Sequence, residues 1–178
     1  NMGNGVLKAT YLPKGYTRTQ QISDAVMTKP TLVAVTDKGN GTKMLGDVAI
    51  ASHNGSLSVK VGSTELLSNL HPVKDSVFNG FSMELTPSEQ VFGGGERAIS
   101  MNRRGHRFDF YNRPDYGYGV GSENLNYGIP FFISTRGYGI FFDNPSKGYA
   151  DIAKSDKNRM NVAFESGELT FYLIPGSN

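Results

Sequence analysis

Short runs rich in Val, Ile, Leu, Phe and Tyr recur along the chain, and many of them alternate with polar residues between glycine-containing turns. A helix would need apolar residues at i, i+3, i+4 and i+7 over several turns. Only residues 20–27 approach that spacing, and the segment is short. Alternation with a period of two is typical of strands that bury one face. The pattern therefore predicts a chain made mostly of strands, with residues 20–27 as the one candidate helix.

Three pairs of predicted strands are separated by short turns that contain glycine. The first turn is His53-Asn54-Gly55, and Asn-Gly favours a tight hairpin because both residues tolerate positive φ. Arg136-Gly137 and Ser166-Gly167 predict two further hairpins. The predicted strands lie at residues 45–52, 56–61, 78–85, 107–111, 129–135, 138–143, 161–165 and 168–174. So many short strands with glycine-rich turns predict an all-β fold, a two-sheet antiparallel β-sandwich.

Composition narrows the class of protein. The 178 residues suit one domain with its own core, and a net charge of +2 offers no strong field for nucleic acid or a membrane surface. No apolar run approaches the ~20 residues that cross a bilayer. Because the chain has no cysteine, disulfide scaffolds and cysteine nucleophiles are excluded. Cysteine content does not fix the compartment, and a periplasmic or secreted location is slightly favoured over the cytoplasm.

The sequence predicts no metal site and no cofactor. The three histidines, His53, His71 and His106, have no second histidine or carboxylate at metal-ligand spacing. Residues 93–97, Gly-Gly-Gly-Glu-Arg, lack the Gly-Lys-Ser/Thr ending of a phosphate-binding loop. These glycines instead predict a crossing of backbones too close to admit a Cβ atom.

A basic stretch follows the glycines, and acidic Glu96 and Asp109 flank it. Its members are Arg97, Arg103, Arg104, His106 and Arg107. Nucleic-acid binding would need such charge without nearby acids. We therefore predict a solvated or ion-paired surface here, and no nucleic-acid partner.

Residues 108–119 are the segment richest in candidate chemistry, because they combine tyrosines with planar polar side chains. A sugar ring needs a flat apolar face to stack on, which tyrosine supplies, and planar groups that bridge neighbouring hydroxyls. The candidate sugar-binding residues are Tyr111, Asn112, Arg113, Asp115 and Tyr116. The same composition is equally compatible with a tyrosine-rich loop that packs on its own domain.

From residue 90 onward the chain resembles the N-terminal β-sandwich of glycoside hydrolase family 31, the α-glucosidase and α-xylosidase group. Residues 92–97, Phe-Gly-Gly-Gly-Glu-Arg, fit that family's Tyr/Phe-Gly-x-Gly-Glu-Arg/His element. Residues 126–134 fit its Pro-Phe/Tyr-Phe/Tyr strand, and residues 136–144 fit its Gly-Tyr-Gly-Val strand. Residues 169–176 are similar to the strand that leads toward a catalytic barrel. Residues 1–89 match in general character only.

The resemblance implies a galactose-mutarotase-like sandwich, residues 1–178, that precedes a (β/α)₈ barrel absent from this chain. The barrel of that family supplies both catalytic aspartates, so no catalytic residue is expected here. The implied partners are an α-glycoside carbohydrate and the barrel of the same protein. Asp115 is the best match for the family's loop aspartate, beside Asn112 and Arg113. The chain departs from the family's loop pattern at two positions: Tyr111 stands in place of the usual tryptophan, and Pro114 is an additional residue between Arg113 and Asp115.

Two other functions stay open. One is a free-standing carbohydrate-binding or adhesion β-sandwich, and the other is a mutarotase-like enzyme, which would need a catalytic His–Glu pair. The gene beyond Asn178 separates the first from the glycosidase interpretation, because a barrel with an aspartate nucleophile should follow only in a glycosidase.

Overall fold

The computed structural model describes residues 5–12, 15, 34–114 and 116–176. The candidate helix at 20–27 and the candidate site residue Asp115 lie outside this part of the chain. All regular elements of the described residues are strands. They are β1 (Leu7–Tyr11), β2 (Thr36–Gly39), β3 (Thr42–Leu45), β4 (Val48–His53), β5 (Ser56–Val61), β6 (Thr64–Lys74), β7 (Asn79–Glu84), β8 (Val91–Gly93), β9 (His106–Phe110), β10 (Phe131–Ser134), β11 (Tyr138–Phe142), β12 (Gly148–Ile152), β13 (Arg159–Phe164) and β14 (Leu169–Pro175).

The strands form two antiparallel sheets. The five-stranded sheet has the order β1-β14-β11-β10-β8, and the nine-stranded sheet has the order β2-β3-β4-β5-β6-β7-β13-β12-β9. This confirms the predicted all-β, two-sheet antiparallel sandwich. No helix in the described ranges is long and apolar enough to span a membrane.

The core lies between the two sheets and is built largely of phenylalanine. Phe81 on β7 contacts Phe142 and Phe171 of the opposite sheet, with ring centroids 6.3 and 5.3 Å away. Phe132 on β10 packs against Phe108 and Phe110 of β9 at 6.3 and 6.2 Å. Each of these rings is at most 6% exposed. Alternate residues of each strand thus meet across the sandwich, as the period of two predicts.

Two of the three predicted hairpins are confirmed. β4 and β5 pair through a turn in which Asn54 and Gly55 have φ angles of 48° and 77°. These positive values are the reason why Asn-Gly suits this turn. β10 and β11 pair across the Arg136-Gly137 turn, where Gly137 has a φ of 84°.

The third predicted hairpin is wrong, because β13 and β14 belong to different sheets. β13 pairs with β7 and β12, whereas β14 pairs with β1 and β11. The Asn144 side chain donates hydrogen bonds to the carbonyls of Ser166 and Glu168, at 2.8 and 3.1 Å. Carbonyls that would face a partner strand in a hairpin are satisfied in this way, and the chain crosses from one sheet to the other.

A buried carboxylate ties the end of β10 to the start of β11. The side chain of Glu89 is fully buried and accepts hydrogen bonds from Ser134 Oγ at 2.6 Å and Tyr138 Oη at 3.0 Å. Its second oxygen accepts from the Thr86 amide at 3.0 Å and lies 3.8 Å from Arg136 Nη1. Burial and the nearby Glu89 charge raise the pKa of Tyr138 far above its usual range. Tyr138 is therefore a hydrogen-bond donor at any physiological pH.

We predict that Glu89→Ala lowers the free energy of unfolding by about 3–5 kcal/mol, because two buried hydroxyls lose their acceptor and Arg136 loses one of its two neighbouring carboxylates. Urea denaturation of the chain measures this loss. Glu165→Ala is the matched control: it removes a surface ion pair with Lys147 at 3.3 Å and should cost less than about 1 kcal/mol. Equal losses for the two variants would contradict a special role for the buried carboxylate.

Candidate functional site around Tyr111

The residues immediately after β9 place an exposed aromatic ring at one end of the sandwich. Tyr111 is 54% exposed, although the preceding Phe110 belongs to the core. Two cations flank its ring: Arg113 lies 5.8 Å and Lys147 5.7 Å from the ring centroid. Both distances are within the range in which a cation is attracted to an aromatic face. The Tyr111 ring thus has two cationic donors close to it and keeps about half of its surface exposed to water.

Two small pockets adjoin Tyr111, and both are also lined by Lys147. The larger has a volume of about 220 Å³ and includes Asn112, Asn144 and Ser146 in its lining. The smaller has a volume of about 140 Å³ and is completed by polar side chains. These side chains are Asp109, Arg113 and Asn124. The two pockets offer an aromatic surface together with hydrogen-bond donors and acceptors.

The segment that carries Tyr111 closes back onto itself. We call residues 111–114 and 116–129 the Tyr111 loop. The Asn112 side chain accepts a hydrogen bond of 2.6 Å from the Gly128 amide, so the two ends of the loop are tied together. Within the loop, Tyr116, Tyr118 and Tyr127 are 90%, 50% and 50% exposed. The loop therefore presents several aromatic rings to solvent beside the two pockets.

The structure brings some of the predicted site residues together. Tyr111 lines both pockets, Asn112 lines the larger one, and Arg113 lines the smaller one. Tyr116 lines neither of them and, among the described residues, has no hydrogen bond or ring contact. Asp115 lies outside the described residues.

Arg97 anchors the Tyr111 loop to the sandwich. It packs over the Phe108 ring at 4.3 Å and uses all five of its N–H donors. Two hydrogen bonds go to the Gly94 carbonyl at 2.9 and 3.1 Å, and one goes to the Asp109 carbonyl at 2.9 Å. The other two reach the Glu123 carbonyl at 2.9 Å and Asn124 Oδ1 at 3.1 Å. Burial lowers the pKa of Arg97 to about 10, so the group remains protonated at neutral pH.

The prediction that the basic stretch forms a solvated or ion-paired surface is wrong for Arg97 and Arg103. Arg103 is only 4% exposed and donates to the carbonyls of Gly93 and Ser100, both at 2.8 Å. The glycine-rich segment leaves carbonyls without a strand partner, and guanidinium groups supply the missing donors. The prediction holds for Arg107, which is half-exposed and lies 3.8 Å from the Asp151 carboxylate.

The three consecutive glycines lie where the prediction put them, at a close crossing of backbones. A Cβ atom on Gly94 would lie 2.6 Å from the Phe108 ring, and one on Gly95 would lie 2.6 Å from the Ile129 amide. Their φ angles, 81° and 88°, also exclude most side chains. Close contact at these glycines brings the end of the Tyr111 loop onto the core.

Sequence reasoning missed Lys147 and Asn124 as members of the site. Lys147 directly precedes β12 and reaches the pockets from a different part of the chain. Asn124 Oδ1 accepts from both Arg97 and the Asp109 amide, which fixes it in place. Neither residue lies in a motif, so only the fold could reveal it. The described residues contain no group of three or more His, Cys, Asp or Glu side chains that could hold a metal ion.

These features define a class of protein: a galactose-mutarotase-like β-sandwich domain with an anchored, aromatic loop at one end. The model of the glycosyl hydrolase 31 N-terminal galactose mutarotase-like domain matches residues 8–151, and the chain belongs to that family.

Relatives of known activity are longer glycosidases. An α-xylosidase of Emericella nidulans is 32% identical over 96 residues, which are 54% of this chain and 12% of that protein. The α-xylosidase XylQ of Lactiplantibacillus pentosus is 33% identical over 88 residues, 49% of this chain and 11% of that protein. The chain thus spans about an eighth of the length of the curated relatives that it matches.

Solved structures of similar fold are also larger enzymes. The dextranase FjDex31A of Flavobacterium johnsoniae, complexed with glucose, superposes with a TM-score of 0.85 at 25% identity. The match covers 97% of this chain and 23% of the dextranase. An α-xylosidase from a soil metagenome, complexed with xylose, has a TM-score of 0.68 and 17% identity over 97% of this chain and 28% of its own. At that identity the likeness shows the fold alone.

We predict that Arg97→Lys loosens the Tyr111 loop without unfolding the sheets, because lysine keeps the charge but cannot reach carbonyls on both sides. Two loop amides report on this loosening: that of Gly121, which donates to the Ala98 carbonyl, and that of Gly128, which donates to Asn112 Oδ1. Their hydrogen exchange should accelerate by about tenfold.

Arg103→Lys is the matched control for this experiment. Its acceptors all lie between residues 93 and 100, so the Gly121 and Gly128 amides should stay protected. Unchanged exchange in Arg97→Lys, or the same pattern in both variants, would show that Arg97 does not anchor the loop.

Proposed function

We propose that this chain is the non-catalytic N-terminal domain of a retaining α-glycosidase, which packs on the catalytic barrel and contributes the Tyr111 loop to the sugar-binding site. The observation that supports this most directly is the half-exposed Tyr111 ring between two pockets lined by Asn112, Arg113 and Lys147. A pyranose ring offers C–H faces for the tyrosine and hydroxyls for the planar polar groups.

The anchoring of the loop supports the same proposal. Sugar-binding groups act best when they are held in place before the ligand arrives, because less conformational freedom is then lost on binding. Arg97 ties the base of the loop, and Asn112 ties its two ends. The exposed rings of Tyr116, Tyr118 and Tyr127 provide apolar surface that a barrel or a substrate can cover.

The names of the relatives support an α-glycoside as the substrate of the longer protein, since they include α-xylosidases and an α-glucosidase. Retaining hydrolysis needs two carboxyl groups about 5 Å apart across the scissile bond. The resemblance to glycoside hydrolase family 31 implies that both of these carboxyl groups belong to the catalytic barrel. Asp115 keeps the role that the resemblance gives it, a loop carboxylate near the sugar.

We predict that the 178-residue chain alone does not hydrolyse nitrophenyl α-xyloside or nitrophenyl α-glucoside, because the catalytic carboxylates belong to the barrel. Release of nitrophenol measures this directly, with a purified family 31 α-xylosidase as the positive control. Hydrolysis that copurifies with the chain, and that stops when the chain is removed from the sample, would refute the proposal that this domain is non-catalytic.

In the longer protein we predict that Tyr111→Ala lowers kcat/KM by roughly fivefold, about 1 kcal/mol of stacking. Tyr111→Phe keeps the ring and should retain most of the activity. Asp115→Ala should cost about 1–3 kcal/mol in kcat/KM, the range for a charged hydrogen bond. Met101→Ala, at a 70% exposed residue outside the loop, serves as the control. Wild-type kinetics in both Tyr111→Ala and Asp115→Ala would mean that the loop does not reach the sugar.

A further inference from the structure

The opposite end of the sandwich holds a cleft that the proposed function does not use. It has a volume of about 480 Å³, larger than either pocket beside Tyr111 and within the usual range for small-ligand sites. We call it the Arg136 cleft. Its lining includes Glu84, Thr86, Arg136, Asp156, Asn158 and Arg159. Because β10 runs from Phe131 near the Tyr111 loop to Ser134 near Arg136, the cleft and the loop are separated by the length of the strand.

The two arginines that line the cleft are each fixed by hydrogen bonds and neighbouring carboxylates. Arg136 donates to Ser68 Oγ at 3.3 Å and lies 3.7 and 3.8 Å from the carboxylates of Glu65 and Glu89. Arg159 donates to Ser82 Oγ at 2.6 Å and lies 3.7 Å from Glu84. Their side chains are only 14% and 20% exposed. Side chains fixed in this way lose little freedom when they bind a ligand.

A break in the strand pairing shapes the wall of the cleft. The register between β6 and β7 shifts between Ser68 and His71. Asn69 adopts a φ of 47°, a left-handed conformation that is uncommon for a residue other than glycine. The Asn69 side chain donates to Glu84 Oε1 at 2.7 Å. A bulge of this kind often re-aims side chains next to a functional site.

The cleft also carries polar groups that the fold does not use. Among the described residues, no hydrogen-bond partner is found for the Asn158 side-chain amide, the Thr86 hydroxyl or Nε of Arg136. Leu85 and Pro87 supply apolar surface beside them. The cleft therefore combines uncommitted donors and acceptors with an apolar patch.

The charges in the cleft favour an uncharged ligand. Two guanidinium groups and the carboxylates of Glu84 and Asp156 line it, and those of Glu65 and Glu89 lie close behind. An anion would meet the carboxylates, and a cation would meet the guanidinium groups. A neutral molecule with many hydroxyls can donate to one set and accept from the other.

We propose that the Arg136 cleft is a second carbohydrate site, which binds a neutral oligosaccharide of two or three sugar units at a distance from the Tyr111 loop. Such a site would hold part of a longer carbohydrate chain against the domain. It requires no catalysis and is independent of whether the Tyr111 loop contacts a substrate.

The test titrates the isotope-labelled 178-residue chain with isomaltotriose, maltotriose and xylotriose, and follows the backbone amide NMR signals. Binding of at least one probe in the millimolar range should shift the amides of Thr86, Arg136 and Asn158. The double variant Thr86→Ala/Asn158→Ala removes only uncommitted polar groups and should weaken this binding by about tenfold. Thr64→Ala, at an exposed threonine outside the cleft, is the matched control and should bind like the wild type.

Each alternative outcome overturns the second site. Shifts confined to the Tyr111 loop would place the sugar there and support only the proposed function. The cleft does not bind oligosaccharides if no amide signal shifts with any probe at a millimolar concentration, about 20-fold above that of the protein. The same conclusion follows if the double variant and the wild type bind the probe with equal affinity.

Discussion

The contact between the glycine segment and the Tyr111 loop is the constraint on which this end of the molecule depends. Gly94 and Gly95 let the backbone approach the Phe108 ring and the backbone at Ile129, closer than any side chain would allow. Arg97 then fills the space above Phe108 and donates to carbonyls on both sides of it. No acceptor of Arg97 is a carboxylate, although the charges of Asp109 and Glu123 favour its protonated form. The half-buried Arg97 cation is therefore held mainly by main-chain oxygens, and losing it would release both sides of the loop at once.

The two ends of the sandwich differ in how their polar groups are satisfied. At the Tyr111 end, the half-buried guanidinium of Arg97 donates to backbone carbonyls, and the tyrosine rings remain exposed. At the Arg136 end, the buried carboxylate of Glu89 serves hydroxyls, an amide and a guanidinium. Both arrangements bury a charge at the end of a strand, where regular pairing stops. The first orders a long loop, and the second locks a tight turn between β10 and β11.

The features that could be predicted from the sequence are those set by neighbouring residues. The β4–β5 hairpin follows from Asn54 and Gly55, whose φ angles depend on local sterics alone. The sequence at Ser166-Gly167 is of the same kind, yet there the chain crosses between the sheets, and Asn144, more than twenty residues earlier, donates to carbonyls of the crossing segment. Turn chemistry predicts that the chain reverses. It does not predict which sheet receives the next strand.

The candidate site shows the same division between local and long-range information. Tyr111, Asn112 and Arg113 are consecutive, so their chemistry is visible in the sequence. Lys147 has no motif around it and enters the site only because β12 lies beside β9, with Gly148 opposite Phe110. This pairing sets the Lys147 ammonium group 5.7 Å from the centroid of the Tyr111 ring, so an aromatic face and a hydrogen-bond donor occur side by side. Neither residue alone offers both, and their combination depends on a strand pairing that no local pattern predicts.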